Sequence, residues 1–503
     1  MRSRRQCSFS PRRGSAGGSV IGFFLVLPML WWLAFFTALG LCIGSFANVL
    51  IYRLPLGQSI REPRWSHCPH CATRIRWRDN LPVIGYLLLK GRCRNCRLPI
   101  SIRYPAIEAL VALVFLALAD AFLIDPSHPG LRPTNAGATE RLVTDWPILT
   151  AHLILFACLF VMSAIDLEHY WVDIRFSSFA AASGFALHSV WTPAYSLATW
   201  PRPGTTFAAV SFAVIVGLGA VWILRIVSLS EADPPDEETP PQEGAAPSPS
   251  RYMSRRPSSR TPLVMLLALI AACWVLSCLD VFEVRTGGAA TRLALVCGGL
   301  FAALIWAGRH PQESDEQIVE TLEEESVDAR RLAGVETLIF VPAVIYAVLV
   351  AIWLQRDPTF SGGFEALLMR AWAPGETGAP ATWRPLLGLA TAGSGFIIGG
   401  SLGWAVRLGF TLLFGKEAFG VGDIHMMAAA GCVAGWPVVV IGFFLACFLA
   451  MLGWVATLPF KRTAAIPLGP WLSLSFLITV LFYRPITESR MIVNFAEAVK
   501  YFL

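Results

Sequence analysis

Residues 148–166 read ILTAHLILFACLFVMSAID, eighteen positions without Asp, Glu, Lys or Arg and then an aspartate. At ~1.5 Å of rise per residue such a run forms a helix of about 27 Å, enough to cross most of a ~30 Å hydrocarbon layer. Comparable runs fall near residues 20–43, 106–122, 176–197, 207–229, 262–279, 293–307, 338–354, 386–413, 424–436, 438–458 and 466–482. In lipid a single chain satisfies its backbone only as helices or a closed barrel, and runs this long are helical. The expected fold is therefore all-α: a polytopic integral membrane protein of about twelve transmembrane helices. Over 503 residues, 55% are hydrophobic and 15% charged, which excludes an ordinary soluble enzyme. A net charge of +6 is too small a surplus for a nucleic-acid partner, so the lipid bilayer is the partner that composition implies.

Charge then sets the orientation. The run at 20–43 is too long for a signal-peptide core and has no small-residue cleavage site, so it reads as a retained span. Five arginines precede it, but the loop 52–105 holds eleven Lys or Arg against Glu62 and Asp79, which places that loop in the cytoplasm. Counting spans from an outside N-terminus puts residues 231–260 and 310–331 on the same side, together with Lys461 and Arg462. The first of these segments, rich in Pro, Ser and charge, reads as a disordered loop. The second, with Glu320, Glu323, Glu324 and Glu325, reads as a short exposed helix.

Within the basic loop, Cys68-Pro-His-Cys71 and Cys93-Arg-Asn-Cys96 form two Cys-x2-Cys pairs. Each is a knuckle that aims two thiolates at one point, and two knuckles close a tetrahedral sulfur site suited to structural zinc. His67 and His70 are then bystanders, because four sulfurs fill the shell.

Acids at the edges of apolar runs are functional candidates, since an unpaired carboxylate there costs several kcal/mol. Asp120 and Asp280 fall at outer span ends and are most simply interfacial. Asp166 and Asp423 are both predicted at the cytoplasmic edge, where two carboxylates at one depth can share a proton, the chemistry of an aspartic protease. Taken alone, the Gly420-Val-Gly-Asp423 string fits a tight turn equally well. Asp173, two helical turns beyond Asp166, fits either a substrate-orienting acid or a solvated loop acid, while His169 and His425 are cations in reach of the pair or solvated interfacial side chains. A transporter or membrane scaffold with a zinc-ribbon loop also fits, its two acids lining an ion path near the bilayer midplane.

Several strings taken together resemble the type 4 prepilin peptidase family of membrane aspartic proteases. They are Gly44-Ser-Phe-Ala-Asn-Val-Leu-Ile-Tyr-Arg-Leu-Pro55, the Cys68 to Cys96 cluster with Trp77-Arg-Asp-Asn-Leu-Pro82, and Arg103-Tyr-Pro-Ala-Ile-Glu108. Further on come Ala164-Ile-Asp166-Leu, the stretch 415–423 ending in Asp423, Ala428-Ala-Ala-Gly431, and Ile466-Pro-Leu-Gly-Pro470. The resemblance implies a bifunctional enzyme of the bacterial inner membrane that cuts the basic leader of type IV prepilins or type II secretion pseudopilins at the cytoplasmic face. It then N-methylates the new terminus with S-adenosylmethionine, or in a narrower alternative only cleaves. It maps the catalytic aspartates to Asp166 and Asp423 and associates methyl transfer with the region of Gly44 to Arg53 and Cys68 to Cys96.

The implied organisation is an N-terminal tail (1–19), a first span with the four-cysteine loop (20–105), a peptidase core in two parts (106–200 and 385–503), and an insertion (201–384). The insertion carries four spans beyond the family's usual eight or so, an even number that keeps both aspartates on one face. Two local departures stand out: Asp173 and Ile174 replace the family's Pro-Asp, and His425 replaces a lysine two residues beyond the second aspartate.

Overall fold

Without water to take up a free N–H or C=O, an apolar run closes its hydrogen bonds within itself, and the long runs form helices throughout the described residues. The computed structural model describes residues 18–62, 65–124, 138–169, 172–191, 384–415, 419–457 and 467–489, with isolated positions between 296 and 349. The helices are α1 (Gly18–Arg53), α2 (Ile84–Leu88), α3 (Arg103–Ala119, ending in a π turn Asp120–Ile124), α4 (Ala138–His169) and α5 (Ile174–Val190). Further along the chain come α6 (Arg384–Phe414), α7 (Val421–Ala434), α8 (Trp436–Thr457), α9 (Gly469–Leu481) and α10 (Tyr483–Thr487). No strand occurs among the described residues, only two isolated β-bridges in the four-cysteine loop.

Five of these helices are long and apolar enough to cross a membrane, at Leu30–Arg53, Arg103–Leu123, Asp145–His169, Thr391–Phe414 and Trp436–Ala456. Two others, α7 and α9, are apolar but shorter. The expected span at 176–197 corresponds to α5, which has 17 residues. The runs at 207–229 and 262–279, most of those at 293–307 and 338–354, the segment 231–260, nearly all of 310–331 and Asp280 lie outside the described residues.

Small residues let the helices approach closely. Gly40 and Gly44 on α1 face Ala112 and Glu108 on α3, where added Cβ atoms would lie 2.6 and 2.7 Å from the facing Cα atoms. On α6, Gly395 and Gly399, one turn apart, press against the backbone of Gly431 and Met427 on α7. Between apolar helices in lipid there is little hydrophobic drive, so this close packing is what holds them together. Helices α4, α5, α6, α7 and α9 pack side by side, bringing residues before 192 and after 383 into one bundle. His188 of α5 makes a 3.0 Å hydrogen bond with the carbonyl of Val433 on α7 across that gap in sequence.

Asp120, expected as an interfacial acid, is buried by neighbouring helices. It stands at the end of its span, but only 5% of it is exposed, because the π turn tucks into the bundle with Phe122 stacked 4.7 Å from His152 of α4.

Candidate functional site

Asp166 occupies the last turn of α4 and is buried, with Ser163 one turn earlier on the same face. Its Oδ2 accepts the backbone N–H of Gly469, the first residue of α9, at 3.1 Å. A helix N-terminus presents free N–H groups and the positive end of the helix dipole, so this seat suits an anion. Gly469 has to be small: a Cβ there would lie 2.6 Å from Asp166 Oδ2 and 3.5 Å from Met426 Sδ of α7. The Ser163 hydroxyl joins the Ser473 hydroxyl at 2.7 Å and donates to the Gly469 carbonyl at 3.4 Å, bolting α9 to α4 beside the carboxylate.

Asp423 stands in the first turn of α7, three residues before Met426. Gly422 allows this turn to lie on Val172, just beyond the end of α4, where an added Cβ would meet the valine side chain at 2.5 Å. Asp423 is thereby carried to the same end of the bundle as Asp166, within electrostatic range of it. Its Oδ1 is buried with no hydrogen-bond partner among the described residues. Both acids thus stand at helix ends rather than in mid-helix, on separate helices that meet around Gly469.

Asp173 turns out to be neither a free acid nor a solvated one. It caps α5, accepting the Arg175 backbone N–H at 3.0 Å and the Arg175 guanidinium through both oxygens at 2.6–2.9 Å. Burial pushes its carboxyl up, but the arginine hydrogen bonds outweigh this and hold it below the usual range. His169 closes α4 beside Glu168, which pairs with Arg103 at the start of α3. His169 and His425 are both half-buried.

The four cysteine Sγ atoms at 68, 71, 93 and 96 lie within 4.8 Å of one another. The two knuckles repeat each other: the N–H of Cys68 donates to Thr73 and that of Cys93 to Leu98, both at 2.9 Å. Ala72 and Arg97, each following the second cysteine, have φ of 51° and 62°, and the bridges His67–Arg74 and Arg92–Pro99 occupy equivalent positions. Non-glycine residues with positive φ are strained, and the repetition shows that the knuckle imposes the strain. Ideal tetrahedral coordination at Zn–S ~2.3 Å sets sulfurs about 3.8 Å apart; Cys68 and Cys96 are 3.9 Å apart. The site therefore fits a four-thiolate metal.

Hydrogen bonds with Thr73 and Asn95 hold Cys71 down to about 5, while burial pushes Cys68 up to about 12. Four crowded thiols do not ionise together unless a cation lies among them. His67 and His70 are exposed, as bystanders would be. Asp79 accepts Arg94 through both oxygens at 2.6 and 2.7 Å, tying the turn Trp77–Asn80 to the second knuckle. Glu108, buried on α3, accepts the Val83 N–H at 2.7 Å and anchors the loop to the helices.

Thr73, Ser163 and Ser473 do not stand out in the sequence as site groups, and the quoted strings that hold Asn95 and Gly469 do not say what either residue touches. Single polar residues beside motif positions carry no spacing signal, and their roles appear only when α9 meets α4 or one knuckle meets the other.

The family model for the Bacterial Peptidase A24 N-terminal domain matches residues 38–122. Among curated proteins, the prepilin leader peptidase/N-methyltransferase of Klebsiella pneumoniae is 32% identical over 213 residues, covering 41% of this chain and 79% of that protein. The prepilin leader peptidase/N-methyltransferase of Myxococcus xanthus is 38% identical over 153 residues, 30% of this chain and 39% of that protein. The type 4 prepilin-like proteins leader peptide-processing enzyme of Escherichia coli O78:H11 is 36% identical over 209 residues, 38% of this chain and 65% of that protein. The chain thus spans less than two thirds of the length of these last two relatives. No solved structure matches.

Proposed function

The chain belongs to the prepilin leader peptidase/N-methyltransferase family, and from that premise we propose that it cleaves the basic leader of type IV prepilins or pseudopilins and then N-methylates the new N-terminus, with S-adenosylmethionine supplying the methyl group. The site of cleavage in this reading is the cytoplasmic face of the bacterial inner membrane. One observation carries the reading: Asp166 accepts the N–H of Gly469, and Met426 of α7, three residues beyond Asp423, lies against the same glycine. Acids lining an ion path would be expected nearer the middle of the spans, which disfavours the transporter reading.

In the proposed chemistry Asp166, seated on the N–H of Gly469, is the carboxylate and Asp423 holds the proton. Asp166 takes a proton from water as the water oxygen attacks the scissile carbonyl carbon, and Asp423 gives its proton to the carbonyl oxygen. Collapse of the tetrahedral intermediate returns that proton to Asp423, while Asp166 passes its own to the leaving amine. The pair is restored, and no covalent intermediate or catalytic metal is required. An interfacial site suits a substrate whose apolar helix lies in the bilayer while its basic leader stays in water.

Zinc in the four-cysteine cluster is structural in this account: four sulfurs fill its shell and leave no vacancy for a reacting water. The thiolates of Cys68, Cys71, Cys93 and Cys96 would hold it, with Asn95 hydrogen-bonded to the Cys71 sulfur at 3.6 Å. The region of Gly44 to Arg53 together with the four-cysteine loop serves methyl transfer. Residues 106–200 and 385–503 form the peptidase core, and 201–384 is an insertion.

The test is to incubate the purified chain in proteoliposomes with a prepilin and methyl-labelled S-adenosylmethionine. Release of the leader followed by labelling of the trimmed pilin is expected; an uncut prepilin would refute the proposal, and cutting without label would reduce it to the peptidase alone. Gly469→Ala places a methyl group against Asp166 Oδ2 and is expected to slow cleavage about 100-fold with insertion intact, since displacing a reacting group by ~1 Å costs that much. Cleavage at the wild-type rate in that variant would show that the carboxylate need not sit on the α9 terminus.

A further inference from the structure

We infer that the four-cysteine loop is itself a membrane-binding element, with α2 seated in the anionic headgroup layer of the leaflet in which α1 ends and α3 begins. On α2, Ile84, Leu87 and Leu88 are spaced i, i+3, i+4 and so share one face, and all three are more than half exposed. Beside that face α2 packs on the loop, with Gly85 buried against the carbonyl of Asp79. Nearby, Trp77 is 71% exposed with the Arg78 guanidinium 5.3 Å from its ring. An apolar face next to Trp and basic residues is the pattern of a helix that lies in a bilayer surface.

The depth of α2 is fixed independently. Val83, the residue before α2, is buried in the same core as α3 and donates its N–H to Glu108. Glu108 lies five residues beyond Arg103, so about 7.5 Å along α3 from its first residue. Val83 has φ of 58°, a conformation that valine rarely adopts, and the Glu108 hydrogen bond pins it there. The loop is therefore tethered at both ends by α1 and α3 and pulled down between them, which brings the apolar face of α2 to the level of the headgroups.

Charge identifies the occupant. Between residues 61 and 102 the acids are Glu62 and Asp79, and Asp79 is closed on Arg94. Arg76, Arg78 and Lys90 flank the apolar face, and all three are exposed. Such a surface repels cations and fits the phosphates of an anionic lipid. Seated in this way, the zinc-type site would be held at the bilayer surface beside the bundle that carries Asp166. The inference is independent of the catalytic proposal, since it concerns lipid and not substrate.

The experiment is hydrogen–deuterium exchange of the full-length chain in nanodiscs of phosphatidylcholine alone and of equal parts phosphatidylglycerol and phosphatidylcholine. Amides of residues 77–92 are expected to exchange about tenfold more slowly in the anionic discs, and high salt should remove the difference. The variant with Ile84→Ser, Leu87→Ser and Leu88→Ser should lose the protection while keeping its metal content, which reports that the knuckles are folded. Arg76→Gln with Arg78→Gln, which leaves the apolar face intact, should lose the dependence on phosphatidylglycerol. Equal exchange of the unaltered chain in both discs would overturn the inference, as would protection that survives in the metal-replete triple serine variant, or protection that needs an added prepilin.

Discussion

Asp166→Asn or Asp423→Asn, each alone, is expected to abolish leader cleavage, with a fall in rate of at least about 10²–10⁴-fold. In the proposed mechanism the two acids do different halves of one proton cycle, so the survivor cannot do both. An amide in place of Asp166 cannot take the proton from water, although it can still accept the Gly469 N–H. In place of Asp423 it cannot give the carbonyl oxygen a full proton. Because each asparagine nearly matches the shape it replaces, insertion and packing should be unchanged, and the loss would report chemistry. The measurement is the initial rate of leader release from a prepilin in proteoliposomes; near wild-type cleavage by either variant would remove that residue from the site.

Replacing any one of Cys68, Cys71, Cys93 or Cys96 with serine should release about one zinc per chain, because three thiolates and a hydroxyl hold zinc far more weakly than four thiolates. The consequence is large because binding energy at such a site is folding energy, on the order of 10 kcal/mol for small zinc modules. If the proposed zinc holds each knuckle closed, the strained backbone at Ala72 and Arg97 would lose that support. Methyl transfer should suffer at least as much as cleavage, since Asp166 and Asp423 are built on other helices. Elemental analysis of protein purified without chelator tests this, and a zinc-free wild-type chain that methylates normally would refute it.

Much of this arrangement could be read in the residues. Eighteen uncharged positions before Asp166 dictate a helix, and paired Cys-x2-Cys spacing dictates two knuckles whose sulfurs meet. What could not be read depends on contacts between distant segments. Nothing local to Gly469 says that its N–H will point at Asp166, 303 residues away in sequence. The spacing of Asp173 from Asp166 put both on one helical face, yet the helix stops at His169 and Asp173 caps the next one. Asp120 reads as an interfacial acid by position along its span, but its burial depends on what packs beside the turn, which position along the span does not give. Helix ends and lateral packing are set by tertiary contacts that a linear pattern does not encode.

That one chain both cuts and methylates a prepilin is tested most directly by the intact mass of a prepilin co-expressed with this chain in cells lacking any other prepilin peptidase. The expected product is lighter by the whole leader and heavier by one methyl group, and the full precursor mass is expected when Asp166→Asn or Asp423→Asn is expressed instead. A precursor of unchanged mass beside the folded, membrane-inserted wild-type chain would contradict the proposed function.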